Sequence, residues 1–177
     1  FNVPTQEMVD QFEAGDNRKD VAILDIDAWA TSTGASYTTG FEHTGFFNRK
    51  YIPRKRSVNA AGDLNLTNPN NYRAIRFADV LLMAAEAAVE SGNLETGRNY
   101  VNQVRARAKN GPRADASPNY VIDTYNSSWS DQAAARNAVR HERRVEMALE
   151  GHRLFDLRRW NIMVDALNTY ISNEGRT

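Results

Sequence analysis

The sequence predicts a mainly helical protein, and three observations carry that prediction. Residues 71–91, NYRAIRFADVLLMAAEAAVES, place Phe77, Val80, Leu81, Ala84 and Ala88 on one helical stripe, while Leu82, Met83, Ala85 and Val89 make the other side nearly as apolar. Residues 94–108, LETGRNYVNQVRARA, repeat the helical spacing through Leu94, Gly97, Val101, Val104 and Ala108. Only Gly92 and Asn93 separate the two stretches, so the helices must pack antiparallel, and a first helix apolar on both sides is expected to be sandwiched. Third, residues 138–160, AVRHERRVEMALEGHRLFDLRRW, form an arginine-dense helical segment with Gly151 near its centre. At 177 residues the chain is long enough for one domain with a real core.

Taken from the start, residues 4–14 open with a helix signature in which Thr5 caps and Met8, Val9 and Phe12 supply an apolar stripe; Gly15, Asp16 and Asn17 stop it. Residues 20–29, DVAILDIDAW, alternate well enough to predict a strand. Asp25 and Asp27 would then share a face, either as a cation-holding pair or as the solvent side of an edge strand, and no further oxygen ligand falls at a calcium-loop spacing. Residues 20–60 read as a loop- and strand-rich segment whose stretch 31–56 combines Gly, Ser and Thr with Tyr37, Phe41, Phe46, Phe47 and Tyr51. Loops are where rings can stand exposed to a ligand, and Trp29 and Tyr37 border the most polar part, so they are the candidate ligand-binding residues.

Residues 71–109 form the helical hairpin, and residues 109–129 a long linker whose Tyr120, Tyr125 and Trp129 are expected to pack. Asp131 begins the next helix, so residues 131–170 are again helical, in two pieces meeting near Gly151 and followed by the amphipathic 162–171. Within 138–160, Arg143 and Glu146 lie three apart, as do Glu150 and Arg153, which pairs them on one helix face at roughly 0.2–0.5 kcal/mol each when exposed. Arginines buried between helices must each be satisfied, and their planar fork suits carboxylates and carbonyls together. The expectation is that these charges, with His141 and His152 among them, lock helices together.

Composition excludes several functions. Lys plus Arg and Asp plus Glu are 22 each, so no basic excess points to nucleic acid. The chain has no cysteine and therefore no disulfide or thiolate metal site. No apolar run approaches the roughly 20 residues of a membrane span. His141 and Glu142 begin an H-E pair, but Val145 stands where a zinc protease needs its second histidine; Glu150 and His152 are two apart, where a di-iron helix needs three. Neither a G-x-S-x-G elbow nor a phosphate-loop glycine pattern is present, so no catalytic residue and no cofactor is expected. The chain starts at Phe1 without a signal-peptide pattern, and any targeting sequence is expected upstream.

Three stretches resemble the SusD/RagB family of surface nutrient-binding lipoproteins. PTQEMVDQFEAGDNR, residues 4–18, is similar to the family's P-T-x-E-L-V-D-x-F followed by D-P-R, with Asn17 in place of the proline. Residues 72–108 resemble its R-Y-A-D-V-L-L-M-x-A-E-A helix followed by I-N-x-V-R-x-R-A, and residues 138–160 its E-R-R-x-E-L-A-x-E-G-x-R-x-F-D-L-R-R-W. The resemblance implies a mainly α, SusD-like fold with tetratricopeptide-like helix pairs, a loop-rich region and minor short β strands. It also implies a non-enzymatic protein at the outward face of the outer membrane, held by a lipidated cysteine. Such a protein caps a SusC-like TonB-dependent transporter and binds oligosaccharides or, in some members, peptides. Family members are several times longer, so residues 1–177 are expected to be a single-domain part of the carboxy-terminal region. The 71–109 hairpin further resembles the join within a tetratricopeptide unit, with Gly97 where that repeat usually has alanine; this supports an alternative function as a protein- or peptide-binding module, although no second in-register copy occurs.

Overall fold

The computed structural model describes residues 3–34, 36, 44–52, 72–111 and 122–174, and within them the protein is mainly α, with eight helices and one two-stranded sheet. Thr5 caps α1 (Gln6–Val9) as predicted, its hydroxyl accepting from the Met8 amide at 3.1 Å. The Asp16 carboxylate then receives the Arg18 amide at 3.0 Å and turns the chain into α2 (Arg18–Ala22).

Residues 20–29 correct the strand prediction. Only Ile23–Asp25 is extended, as β1, pairing antiparallel with β2 (Phe46–Asn48) so that Leu24 faces Phe47. The chain turns helical at once into α3 (Ile26–Thr33). The cause is Asp25, whose carboxylate accepts from the Ala28 amide at 3.0 Å and caps α3, a local bond that overrides the apolar alternation. Asp25 and Asp27 therefore do not share a strand face. Among the described residues no group of three or more metal-ligating side chains comes together.

The main core joins α4 (Phe77–Glu90), α5 (Leu94–Asn110) and α6 (Gln132–Glu146) through Leu81, Leu82, Ala85, Val89, Val101, Val104, Ala135 and Val139. Tyr125 and Trp129 cover it as an edge-on pair with centroids 5.4 Å apart, the packing role expected of them. α4 starts later than predicted because Arg76 is extended (φ −121°, ψ 154°), its guanidinium turned toward the glutamates described below. The sandwich expectation holds on one side only. Phe77 is exposed, and Val80 and Met83 are about half exposed.

Gly92, at φ +84°, makes the turn from α4 to α5, with the Asn93 amide donating to the Ala88 carbonyl at 2.8 Å. Gly97 is required by contact instead. A Cβ there would stand 2.5 Å from Val89 Cγ2 and 3.1 Å from the Ala85 carbonyl oxygen. Gly97→Ala would gain about 1 kcal/mol of helix propensity but overpack by about 1–3 kcal/mol. The expected net is a loss of about 1 kcal/mol, read as a lower urea midpoint at unchanged slope.

A second core of Val9, Phe12, Ala22, Ile23, Val145 and Ala148 fixes the amino-terminal segment on the end of α6. α6 stops at Glu146, the chain turns through Leu149 (φ 64°) and Gly151 (φ +86°), and α7 (Arg153–Arg159) and α8 (Met163–Glu174) follow. The helix break stands where Gly151 predicted it.

Candidate functional site

Glu142, Glu146 and Glu150 are spaced by four residues, and all three point into the body of the protein. Glu142 accepts from Arg18 Nη1 at 2.5 Å and Arg105 Nη1 at 3.1 Å. Glu146 collects three guanidiniums, from Arg76 (2.8 Å), Arg107 (2.5 Å) and Arg18 (3.2 Å). Glu150 accepts from Arg76 Nε at 2.7 Å and from Lys50 Nζ at 2.5 Å. The cations come from α2, from the chain after β2, from the extended residue before α4 and from α5, so the glutamates hold four separate segments in register.

Where this network reaches the surface it lines a cleft of about 170 Å³, with Lys50, Arg73, Arg76 and Arg107 around Glu146 and Glu150. Burial alone would raise the Glu146 pKa, but Arg107, Arg76 and Arg18 together hold it below the ordinary carboxylate value. Burial pushes the Lys50 ammonium down, a shift that Glu150 opposes without cancelling. Next in the chain to Lys50 and Arg73 of the cleft, the rings of Tyr51 and Tyr72 stack at 6.3 Å and 22°. Burial, then Glu150 and Tyr72, push the Tyr51 phenol up while Arg73 and Arg76 pull it down, which places that ring in the field of the cleft.

A second network centres on Arg143, which bridges Asp156 with Nε (2.8 and 2.9 Å) and Asp79 with Nη1 (2.6 Å). Arg159 extends it to Glu86, which also accepts from Trp160 Nε1 at 2.8 Å, and Arg140 and Arg159 lie over the Trp160 ring, each 4.8 Å from its centroid. The predicted three-apart pairs do not form: Arg143 and Glu146 each take partners from other elements, and no carboxylate among the described residues lies in ion-pair range of Arg153. Arg153 lines an apolar groove of about 390 Å³ between α1 and α8, where burial and the nearby Arg144 push its pKa down to about 10. His141 Nε2 lies 3.6 Å from the Glu13 carboxylate, while His152 lines the groove.

Of the two sequence candidates, Trp29 sits on α3 with 39% of its surface exposed, its carbonyl accepting from the Ser32 and Thr33 hydroxyls at 2.9 and 2.8 Å. It lines neither the cleft nor the groove. Tyr37 lies outside the described residues. Sequence reasoning missed the Tyr51–Tyr72 pair and its cationic neighbour; the signal within reach was the four-residue spacing of the glutamates, which demanded buried cations from elsewhere.

A family model described as "SusD family" matches residues 6–176. Among curated proteins, SusD-like protein P2 of Formosa agariphila is 32% identical over 163 residues, covering 89% of this chain and 30% of that protein. SusD-like protein P25 of the same organism is 31% identical over 127 residues, covering 71% of this chain and 22% of that protein. Among solved structures, the surface glycan-binding protein A from Bacteroides thetaiotaomicron shares the fold at a TM-score of 0.62 and 23% identity, over 90% of this chain and 32% of that one. The chain thus spans less than a third of the length of the relatives it matches.

Proposed function

The chain belongs to the SusD family, and from that membership we propose that it is part of a non-catalytic glycan-binding component of a TonB-dependent nutrient uptake system. It acts at the outward face of the outer membrane through a lipid anchor, with a SusC-like transporter as partner and an oligosaccharide as ligand. The match across residues 6–176 carries this reading. The side-chain chemistry supports it: the buried carboxylates are committed to arginines and lysine, so they serve as scaffold, while aromatic faces at Trp29 and Tyr72 stay open to a pyranose ring.

Isothermal titration of the intact protein with a panel of neutral and acidic oligosaccharides tests it. Trp29→Ala is expected to weaken binding about tenfold, some 1.4 kcal/mol, with an unchanged melting temperature because the ring is outside both cores. Unchanged affinity in the variant removes Trp29 from the site. The open apolar face of α4 at Phe77, Val80 and Met83 favours a second reading, a protein- or peptide-binding module; a panel that yields no heat with any sugar would turn the assignment to it.

A further inference from the structure

We propose that the cleft beside Tyr51 and Tyr72 is a subsite for an anionic substituent on the saccharide, a carboxylate or a sulfate ester, and so that the ligand is an acidic glycan. The inference rests on the glycan-binding reading above. Its basis is an imbalance of charge, among the described residues, in one small space. Four cationic side chains, Lys50, Arg73, Arg76 and Arg107, face two carboxylates, Glu146 and Glu150, across the cleft of about 170 Å³. The fifth cation in its wall, Arg18, also reaches Glu146 at 3.2 Å but is matched from behind by Asp16 at 2.7 Å and Glu142 at 2.5 Å, so it does not lower the excess.

The excess is placed where a ligand can reach it. Arg76 is committed to both glutamates, but the Arg107 side chain is 58% exposed and gives Glu146 one bond from Nη2, leaving the rest of its fork at the mouth. Arg73 is exposed and lines the same opening. Lys50 directs its ammonium to Glu150 and to the Glu146 carbonyl at 2.9 Å, and its protonated form is disfavoured by burial, a penalty that an arriving anion would offset.

The aromatic pair supplies the other half of the recognition. Lys50 and Tyr51 are consecutive, as are Tyr72 and Arg73, so each ring is tied to a cation of the cleft. Tyr72 is 70% exposed, a ring face held in place by stacking on Tyr51. A guanidinium fork that can take two oxygens of a carboxylate or a sulfate ester, beside a tyrosine ring that can take an apolar sugar face, is complementary to a uronate or a sulfated pyranose. A neutral sugar would use only the second contact.

The test is a titration of the intact protein with oligogalacturonate and its methyl ester, and with a sulfated galactan oligosaccharide and its desulfated form, at low and high salt. One acidic sugar is expected to bind about tenfold or more tightly than its neutral partner, with the advantage shrinking as salt is added. Which pair shows the difference tells carboxylate from sulfate. Arg73→Gln, at an exposed position, should remove several-fold of the acidic sugar's affinity and leave the melting temperature unchanged; Tyr72→Ala should weaken acidic and neutral sugars alike. Equal binding of acidic and neutral sugars, an Arg73→Gln variant indistinguishable from wild type, or inorganic sulfate competing as well as the sugar would each overturn the subsite while leaving glycan binding standing. Binding of no sugar at all would overturn both.

Discussion

Replacing Arg143 with alanine is expected to remove about 3–5 kcal/mol of stability, the scale of breaking a buried ion pair by deleting one partner. Asp79 on α4 and Asp156 on α7 are both buried, and the Arg143 guanidinium is shared between them. Its loss strands two carboxylates in the interior: Asp156 keeps Arg159, at 2.9 Å, while Asp79 keeps no ion pair among the described residues. Against a total stability of about 5–15 kcal/mol for a domain, that is a large fraction. Arg143→Lys should recover only part of it, because a point charge cannot reach both carboxylates with a fixed fork. Urea unfolding measures the loss, and ligand affinity of the folded fraction should stay unchanged. A variant that melts like wild type yet loses ligand would move Arg143 from scaffold to site.

Glu146→Gln is expected to lower stability by about 3 kcal/mol at neutral pH, on the same physical ground. Arg18 and Arg76 retain Asp16, Glu142 and Glu150, so the loss falls at the low end of that range, with the half-exposed Arg107 reaching water instead. The pH dependence separates charge from packing. The folded pKa of Glu146 is held below its ordinary 4.5, so its stabilising contribution is fully present above that value and is lost as pH falls through the folded pKa. Wild type and variant should therefore differ most at pH values well above 4.5 and converge in stronger acid. A gap that stays constant from neutral pH into acid would show that shape, not charge, makes Glu146 necessary.

What was legible in the sequence was what local rules decide. Thr5 as a cap, Asp131 as the start of α6, the Gly92 turn and the Gly151 break each depend on a few consecutive residues, and each stands in the structure. In residues 20–29 alternation and capping compete over the same stretch, and one Asp25 bond to an amide three residues on decides against the strand. The ion pairs depart from the sequence pattern for a different reason. Spacing of three residues ranks neighbours on an exposed helix, whereas Glu146 is buried and takes its partners from positions 39, 70 and 128 residues away. The candidate site shows the same division: Trp29 is exposed as its polar surroundings implied, but Tyr51 and Tyr72 meet only because β2 and the start of α4 are both drawn to the end of α6.

The position of those glutamates late in the chain has a consequence for synthesis. Arg18, Lys50, Arg76, Arg105 and Arg107 all leave the ribosome before residues 142–150, which carry most of their counter-charges. Until then the α4–α5 hairpin can form from its own contacts, but the amino-terminal segment, which has the Asp16–Arg18 and Glu13–Arg105 pairs, lacks Val145 and Ala148 to pack on. One stretch of nine residues, 142–150, thus supplies both the glutamates that complete the charge network and the Val145 and Ala148 that complete the second core.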